Sequence, residues 1–365
     1  MNKANCYIGL MSGTSLDGVD AICVNHQLQQ IATHHHPYPT ELHQALHQLI
    51  VDQHTSLLNL GTLDHQLGQC YAECVLALLK KCNLDKVQIA AIGNHGQTVF
   101  HQPNGENRFT MQLGDPTIIA AKTGIPVVHD FRRMDMALGG QGAPLAPIFH
   151  QAVFAKTNVK RAIVNIGGMA NVSLLKGKEL IAGFDTGPGN ALLDGWIHEC
   201  KQLTYDKDGS WANSGKINEP FLTALLADDY FQQLPPKSTG KERFHLKWLK
   251  AHLNHHPHIS PQDVQATLVE LTATTICQSF ALAHVTPQEI YICGGGAYNL
   301  YLMERIHVIS GLPTMSTTEL GIDPEWVEAA LIAWLTAQHI ENKRIDFSVA
   351  TGSKSSLIPG CLTKW

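Results

Sequence analysis

The chain has 365 residues, more than one ordinary hydrophobic core holds and enough for two domains of typical size. Its 44% hydrophobic and 16% charged content describes a globular protein, not a disordered one. A net charge of −5 without any Lys/Arg-rich run disfavours nucleic acid and anionic membranes as partners.

The N-terminus runs almost at once into an apolar strand, with no basic segment leading into an apolar helix. No apolar stretch reaches membrane-span length either, so neither a signal peptide nor a membrane anchor is expected. The nine cysteines are odd in number and form no CxxC pair, which fits free thiols in a reducing cytoplasm. Among the 21 histidines, His34-His35-His36 and the group His252, His255, His256 and His258 invite a metal reading. Both groups sit in polar stretches containing Pro with no Cys nearby, which points to solvated surface.

In chain order, residues 7–24 read as a hairpin: two apolar runs around Ser12-Gly13-Thr14-Ser15-Leu16-Asp17-Gly18. This turn is longer than a chain reversal needs. Its glycines and hydroxyls suit an anion, and Asp17 can hold the water shell of a Mg²⁺ ion; an ordinary polar loop is the other reading. Residues 41–50 and 57–81 carry helical periodicity, the second with Leu60, Leu63, Leu67, Tyr71, Val75, Leu78 and Leu79 on one face. A buried strand at 87–93 ends at Asn94-His95-Gly96-Gln97-Thr98. A strand at 107–113, a helix at 116–123 closed by Gly124, and a strand at 125–129 follow. The run Asp130-Phe131-Arg132-Arg133-Met134-Asp135 precedes Gly139-Gly140-Gln141-Gly142-Ala143-Pro144, the expected domain crossing.

The second half restarts the same grammar. A strand at 161–165 enters the turn Ile166-Gly167-Gly168-Met169-Ala170-Asn171, and a strand at 172–175 returns. Gly183-Phe184-Asp185-Thr186-Gly187-Pro188-Gly189-Asn190 reads as a turn leading into a helix at 191–200. Helices are expected at 220–227 and 261–284, with an irregular region between them. A buried strand at 289–293 runs into Gly294-Gly295-Gly296. The last element is a helix at 324–338 with Pro324 in its first turn. The sequence thus predicts a duplicated α/β fold: two similar domains of mixed sheet plus helices, actin-like and ribonuclease H-like, with a nucleotide cleft between them. The expected domains are 1–140, completed by part of 324–365, and 141–323.

These segments, with His95-Gly96-Gln97-Thr98 and Asp130-Phe131-Arg132-Arg133, closely resemble the anhydro-N-acetylmuramic acid kinases of bacterial cell-wall recycling, collinearly from about residue 7 to about 340. One departure is Asn94, where a smaller Ser or Cys is expected. The resemblance implies the actin, hexokinase and heat-shock ATPase superfamily fold. It also implies a reaction in which water opens the 1,6-anhydro ring of 1,6-anhydro-N-acetylmuramic acid and O6 receives the γ-phosphate of ATP, with Mg²⁺.

By that resemblance Asp185 is the base that takes a proton from water, with a helix N-cap or a Mg²⁺ outer-sphere ligand as the other readings. The implied ATP cradle comprises Ser12, Gly13, Thr14, Ser15, Asp17, Gly18, Gly167, Gly168, Asn171, Gly187, Gly189, Asn190, Gly294, Gly295 and Gly296, with phosphate also at the N-terminus of the helix after Gly189. His95, Gln97, Arg132, Arg133 and Glu328 are the implied sugar contacts. Arg132 and Arg133 are both candidates for the lactyl carboxylate, and the other reading is that one of them bridges Asp130 or Asp135; Glu328 can equally be a solvated helix residue. Lys237, Lys241 and Arg243 recur in the family without a physical assignment. An ordinary sugar kinase, with Asp185 deprotonating a hydroxyl, and a non-enzymatic nucleotide switch remain the other functional readings. The expected partner is a small molecule, and a monomer and a homodimer both stay open.

Overall fold

The computed structural model describes residues 5–13, 16–240 and 242–365. It divides into two compact units: residues 1–146 with 326–365, and residues 147–325. In the first unit lie β1 (Cys6–Met11), β2 (Gly18–Asn25), β3 (Gln30–Pro37), β4 (Ile89–Asn94), β5 (Gln97–Gln102), β6 (Phe109–Leu113) and β7 (Val127–His129). The second carries β8 (Lys160–Ile166), β9 (Met169–Lys176), β10 (Glu179–Pro188), β11 (Glu289–Cys293) and β12 (Thr314–Ser316), and β13 (Cys361–Thr363) belongs again to the first.

The two main sheets repeat one another. In the first unit the order is β3-β2-β1-β4-β7, extended by β13; in the second it is β10-β9-β8-β11-β12. In each, three antiparallel strands form a meander; its first strand pairs in parallel with the next strand, which in turn pairs in parallel with the one after. Parallel pairing requires crossovers, which the helices Leu57–Cys82 and Pro261–Leu282 supply. The first of these presents Leu63, Leu67, Tyr71, Val75 and Leu78 to the core, as its periodicity demands. Ser56 caps its N-terminus by accepting from the Asn59 N–H, and Asn83 closes it in the left-handed conformation.

The helix Val327–Ile340 lies on the first sheet at contact distance. Gly9 and Gly93 are register partners in β1 and β4. A Cβ on Gly9 would sit 2.0 Å from Ala329 O, and one on Gly93 would sit 2.0 Å from Thr336 Oγ1. Two adjacent glycines therefore let this helix approach, and the approach fixes where Glu328 stands on its first turn.

Several local expectations change. The α-helix starts at Val327, because Pro324 heads a separate 3-10 turn, Pro324–Trp326. Residues 183–188 are not a turn: β10 runs through Asp185 to Pro188. Since β10 is an edge strand, Pro188 at its end interrupts no inner ladder. His34, His35 and His36 lie on β3, where His35 Nδ1 meets Asp20 Oδ1 at 2.8 Å. His252 lies on a helix, Leu246–Leu253, and meets Trp248 edge-on with ring centroids 4.8 Å apart. Among the described residues no group of three His, Cys, Asp or Glu side chains can hold a metal ion, and no helix is long and apolar enough to cross a membrane.

Candidate active site

Asp185 sits in β10 directly opposite Asn171 of β9, which is itself opposite Asn165 of β8. Cross-strand partners share a face, so three polar side chains form one row across the sheet. The register shifts just after Asp185, where Thr186 is the extra residue of a bulge and donates from Oγ1 to Ala170 O at 3.2 Å. A bulge bends its strand and re-aims the neighbouring side chain. The Asp185 carboxylate accepts two hydrogen bonds on Oδ2, from Ser238 Oγ at 2.8 Å and from the Thr239 N–H at 3.0 Å. Among the described residues Oδ1 accepts none. Burial raises its pKa above the usual carboxylate range; the Thr239 and Ser238 bonds pull it back down, Glu242 pushes it up and Lys237 lowers it.

The stretch that the sequence left without an assignment is therefore what packs on Asp185. The Lys237 carbonyl accepts from the Asp185 N–H at 3.2 Å. Its buried Nζ donates to Tyr230 O at 3.0 Å, and Tyr230 Oη donates to Asp185 O at 2.7 Å. The helix N-cap reading of Asp185 does not hold, since the residue lies inside a strand with its carboxylate engaged. Lys241 lies outside the described residues.

The glycine-rich segments of the second unit converge at the carboxyl ends of β8 and β11. The N–H groups of Gly189 and Ala191 donate to Gly168 O, both at 3.0 Å, and that of Asn190 to Gly167 O at 2.8 Å. The β8–β9 turn thus caps the helix Asn190–Lys201. This corrects the expectation that these first amides face phosphate, because a donor already paired in the fold is not available to an anion. Of the triple glycine, Gly294 has φ +76° and would place a Cβ 2.5 Å from Asn165 Oδ1. Gly296 would meet Ile166 Cγ2 at 2.4 Å, whereas Gly295 is exposed and would meet only Asn190 Nδ2, at 3.5 Å. Gly294 and Gly296 are required by packing, and Gly295 alone offers open backbone. Gly187 likewise serves packing, as its Cβ would meet Phe231 Cε1 at 2.8 Å.

In the first unit the residues flanking the long turn are committed to the fold. Ser12 is 3% exposed, and its Oγ donates to Gln97 Oε1 at 2.5 Å and contacts Tyr38 Oη. Gln97 Nε2 in turn donates to Gly13 O at 3.3 Å. Gly18 starts β2 so close to β3 that a Cβ would sit 2.4 Å from His36 O. Asp17 is exposed. Thr14 and Ser15 lie outside the described residues.

His95, Arg132 and Glu328 form a polar group in the same unit. Arg132 donates from Nε (3.0 Å) and Nη2 (2.8 Å) to His95 Nε2, and from Nη1 to Gly142 O at 2.6 Å. His95 Nδ1 stands 2.7 Å from Gly96 O, so Nδ1 carries the proton and Nε2 accepts. Burial and the Arg132 charge push the His95 pKa down to about 3, so the ring is neutral at working pH. Burial lowers Arg132 to about 10, against the opposing effects of Glu328 and Asp135. Solvent reaches Glu328, yet the surrounding protein raises its carboxyl pKa, with Arg132 pulling down and Asp20 pushing up. Arg133 is exposed and pairs with Asp130 at 2.9 Å; Asp135 is instead held by the Gly142 N–H and by Thr351 Oγ1. A cavity of about 270 Å3 opens beside this group, lined by Asn94, His95, Thr110, Gln112, Asp130 and Arg133 among others. Asn94 braces its rim, donating to Gly114 O at 2.8 Å and accepting from the Gly96 N–H at 3.0 Å. That is the work its larger side chain does where a Ser or Cys was expected.

Two sheets of the same order and sense, each with a glycine-containing turn at its first hairpin, define a duplicated ATPase fold of the actin and hexokinase kind. A solved activator of 2-hydroxyisocaproyl-CoA dehydratase from Clostridium difficile, with bound ADPNP, shares that fold at TM-score 0.51 and 10% identity, over 92% of this chain and 96% of its own. The chain belongs to the anhydro-N-acetylmuramic acid kinase family, whose model matches residues 5–364. It is 47% identical over 361 residues to the anhydro-N-acetylmuramic acid kinase of Shewanella pealeana, covering 98% of each chain. It is also 47% identical over 363 residues to that of Coxiella burnetii, covering 98% of this chain and 96% of the relative.

Proposed function

We propose that this chain opens the 1,6-anhydro ring of 1,6-anhydro-N-acetylmuramic acid with water and phosphorylates O6 from ATP, giving N-acetylmuramic acid 6-phosphate and ADP. The observation that carries this reading is the family match across residues 5–364. Asp185 acts as the base: Oδ1, which accepts no hydrogen bond among the described residues, takes a proton from water while the water oxygen bonds to the anomeric carbon. The C1–O6 bond breaks, O6 bonds to the γ-phosphorus, and ADP departs with the electron pair of the broken P–O bond. The proton on Asp185 then passes to solvent. O6 of an anhydro sugar carries no proton, which is why the base serves water and not the acceptor oxygen.

Arg133 is the better partner for the lactyl carboxylate. The Arg132 fork is already spent on His95 and Gly142, whereas Arg133, whose Nε pairs with Asp130, lines the cavity and is exposed. Arg132 holds His95 in place and Glu328 meets a sugar hydroxyl, whereas Gln97, 2% exposed and bonded to Ser12 and Gly13, holds the turn instead of touching sugar. Gly295 and Asn190 face adenosine, and the turn around Gly13 faces phosphate. Mg²⁺ bound with ATP would be held mainly by phosphate oxygens and water, with Asp17 as a carboxylate able to hold its water shell, and it would supply charge neutralisation at the phosphoryl group. The chain works in the cytoplasm, where ATP is present and its nine free cysteines stay reduced.

Mass spectrometry of the product tests this reading. The anhydro sugar should gain one water and one phosphoryl group. Equal turnover of already opened N-acetylmuramic acid would instead favour an ordinary sugar kinase.

A further inference from the structure

We propose that Ser238 and the Thr239 backbone are positioning groups for the base: by filling Oδ2 of Asp185 they leave Oδ1 as the atom that receives the proton of water. This rests on the reading of Asp185 as base.

The geometry supplies the first argument. Two donors, a hydroxyl at 2.8 Å and an amide at 3.0 Å, converge on a single carboxylate oxygen. Each lowers the basicity of the oxygen it touches, so the next proton goes to the other one. Two bonds also hold the carboxylate plane, which would otherwise rotate about its last torsion, a soft one.

The second argument is how firmly this stretch is held. Upstream of Ser238, Lys237 is 9% exposed and ties back to Tyr230 through its ammonium, which lies 4.5 Å from that ring. Downstream, Phe244 is fully buried; it stacks on Phe231 with centroids 5.2 Å apart and meets Trp248 edge-on. Arg243 bridges Asp228 and Asp229, and Trp248 Nε1 donates to Asp228 Oδ2 at 3.1 Å. Ser238 and Thr239 thus stand between two anchored residues, Lys237 and Phe244, and form a strap packed on Asp185.

The third argument is electrostatic. The charged groups facing Asp185 are Lys237 and Glu242, both on the strap, and they act in opposite directions. Burial raises the pKa of the carboxyl, which makes it a stronger base, and the two strap bonds limit that rise. Removing Ser238 Oγ removes one of those restraints.

The test is the pH dependence of kcat/KM for the natural chain, Ser238→Ala, Ser238→Thr and Asp185→Asn, with ATP affinity measured by calorimetry on each. The side chain of Ser238 is exposed, so its removal leaves the core untouched. We expect Ser238→Ala to move the acidic limb upward by about one pH unit. We also expect it to lower kcat by roughly 3- to 30-fold with ATP affinity unchanged, and Ser238→Thr to restore both. If Asp185→Asn is inactive while Ser238→Ala keeps the natural limb and kcat, the strap does not position the base and the proposal is overturned. If Asp185→Asn retains turnover, the base reading itself fails, and the proposal falls with it.

Discussion

The Oγ of Ser12 lies 2.5 Å from Oε1 of Gln97, so the long turn after β1 and the strand after β4 share one buried hydrogen bond. A hydroxyl has one proton to give. With Ser12 donating to Gln97, Tyr38 must donate to Ser12, and Tyr71, 3.1 Å from Tyr38, must donate to Tyr38. The chain of donors Tyr71, Tyr38, Ser12 then ends at Gln97, whose amide donates to Gly13 O at 3.3 Å. An element assigned to sugar is thereby tied to one assigned to phosphate.

Ser12→Ala should therefore act on stability first. It strips partners from the hydroxyl of Tyr38 and the carbonyl of Gln97, both buried, at a cost of about 1–3 kcal/mol. Urea unfolding reads this directly. Unchanged stability together with lost ATP affinity would show that the hydroxyl serves the nucleotide instead.

The triple glycine separates packing from binding. Gly295→Val has open space and should fold normally while weakening ATP binding, because the added side chain occupies the only exposed backbone of the run. Gly296→Ala should instead destabilise the chain by about 1–3 kcal/mol, since its Cβ would overlap Ile166. Thermal unfolding and ATP titration of both variants check the contrast; the reverse pattern would exclude Gly295 from the nucleotide site.

How much of this was legible in the sequence depends on how local each cause is. The hairpin at 7–24 and the long helix were readable because their apolar periodicity lies in consecutive residues. Both hairpins and the duplication they imply followed from the same signal. Residues 183–188 read as a turn because Gly and Pro usually punctuate structure, and only the sheet order shows that β10 is an edge where Pro188 is harmless. The strand β3 was hidden by its histidines, and the helix Leu246–Leu253 by its shortness and its Lys and His residues. Asp185 stood out by motif, but Ser238 is 53 residues away in an irregular stretch, so no periodicity pointed to their contact. Gly9 and Gly93 were visible as residues, not as a pair, because β1 and β4 meet only after the crossover.

Arg133 carries the prediction about substrate charge. Arg133→Ala should raise KM for the anhydro sugar roughly ten- to a hundredfold, the worth of one charge-assisted hydrogen bond of about 1.5–3 kcal/mol. Anhydro-N-acetylglucosamine lacks the lactyl carboxylate, so its lower efficiency should be unaffected by the substitution. Equal losses for both sugars would remove the carboxylate from Arg133.

The most direct test of the account is to run the reaction in ¹⁸O-water, quench it early and locate the label by tandem mass spectrometry. If Asp185 activates water for attack on the anomeric carbon, the label enters the sugar at that carbon, and the oxygen bridging C6 to phosphorus stays unlabelled. Label in the phosphate group, or product without label, would contradict the coupled ring opening and phosphorylation described above.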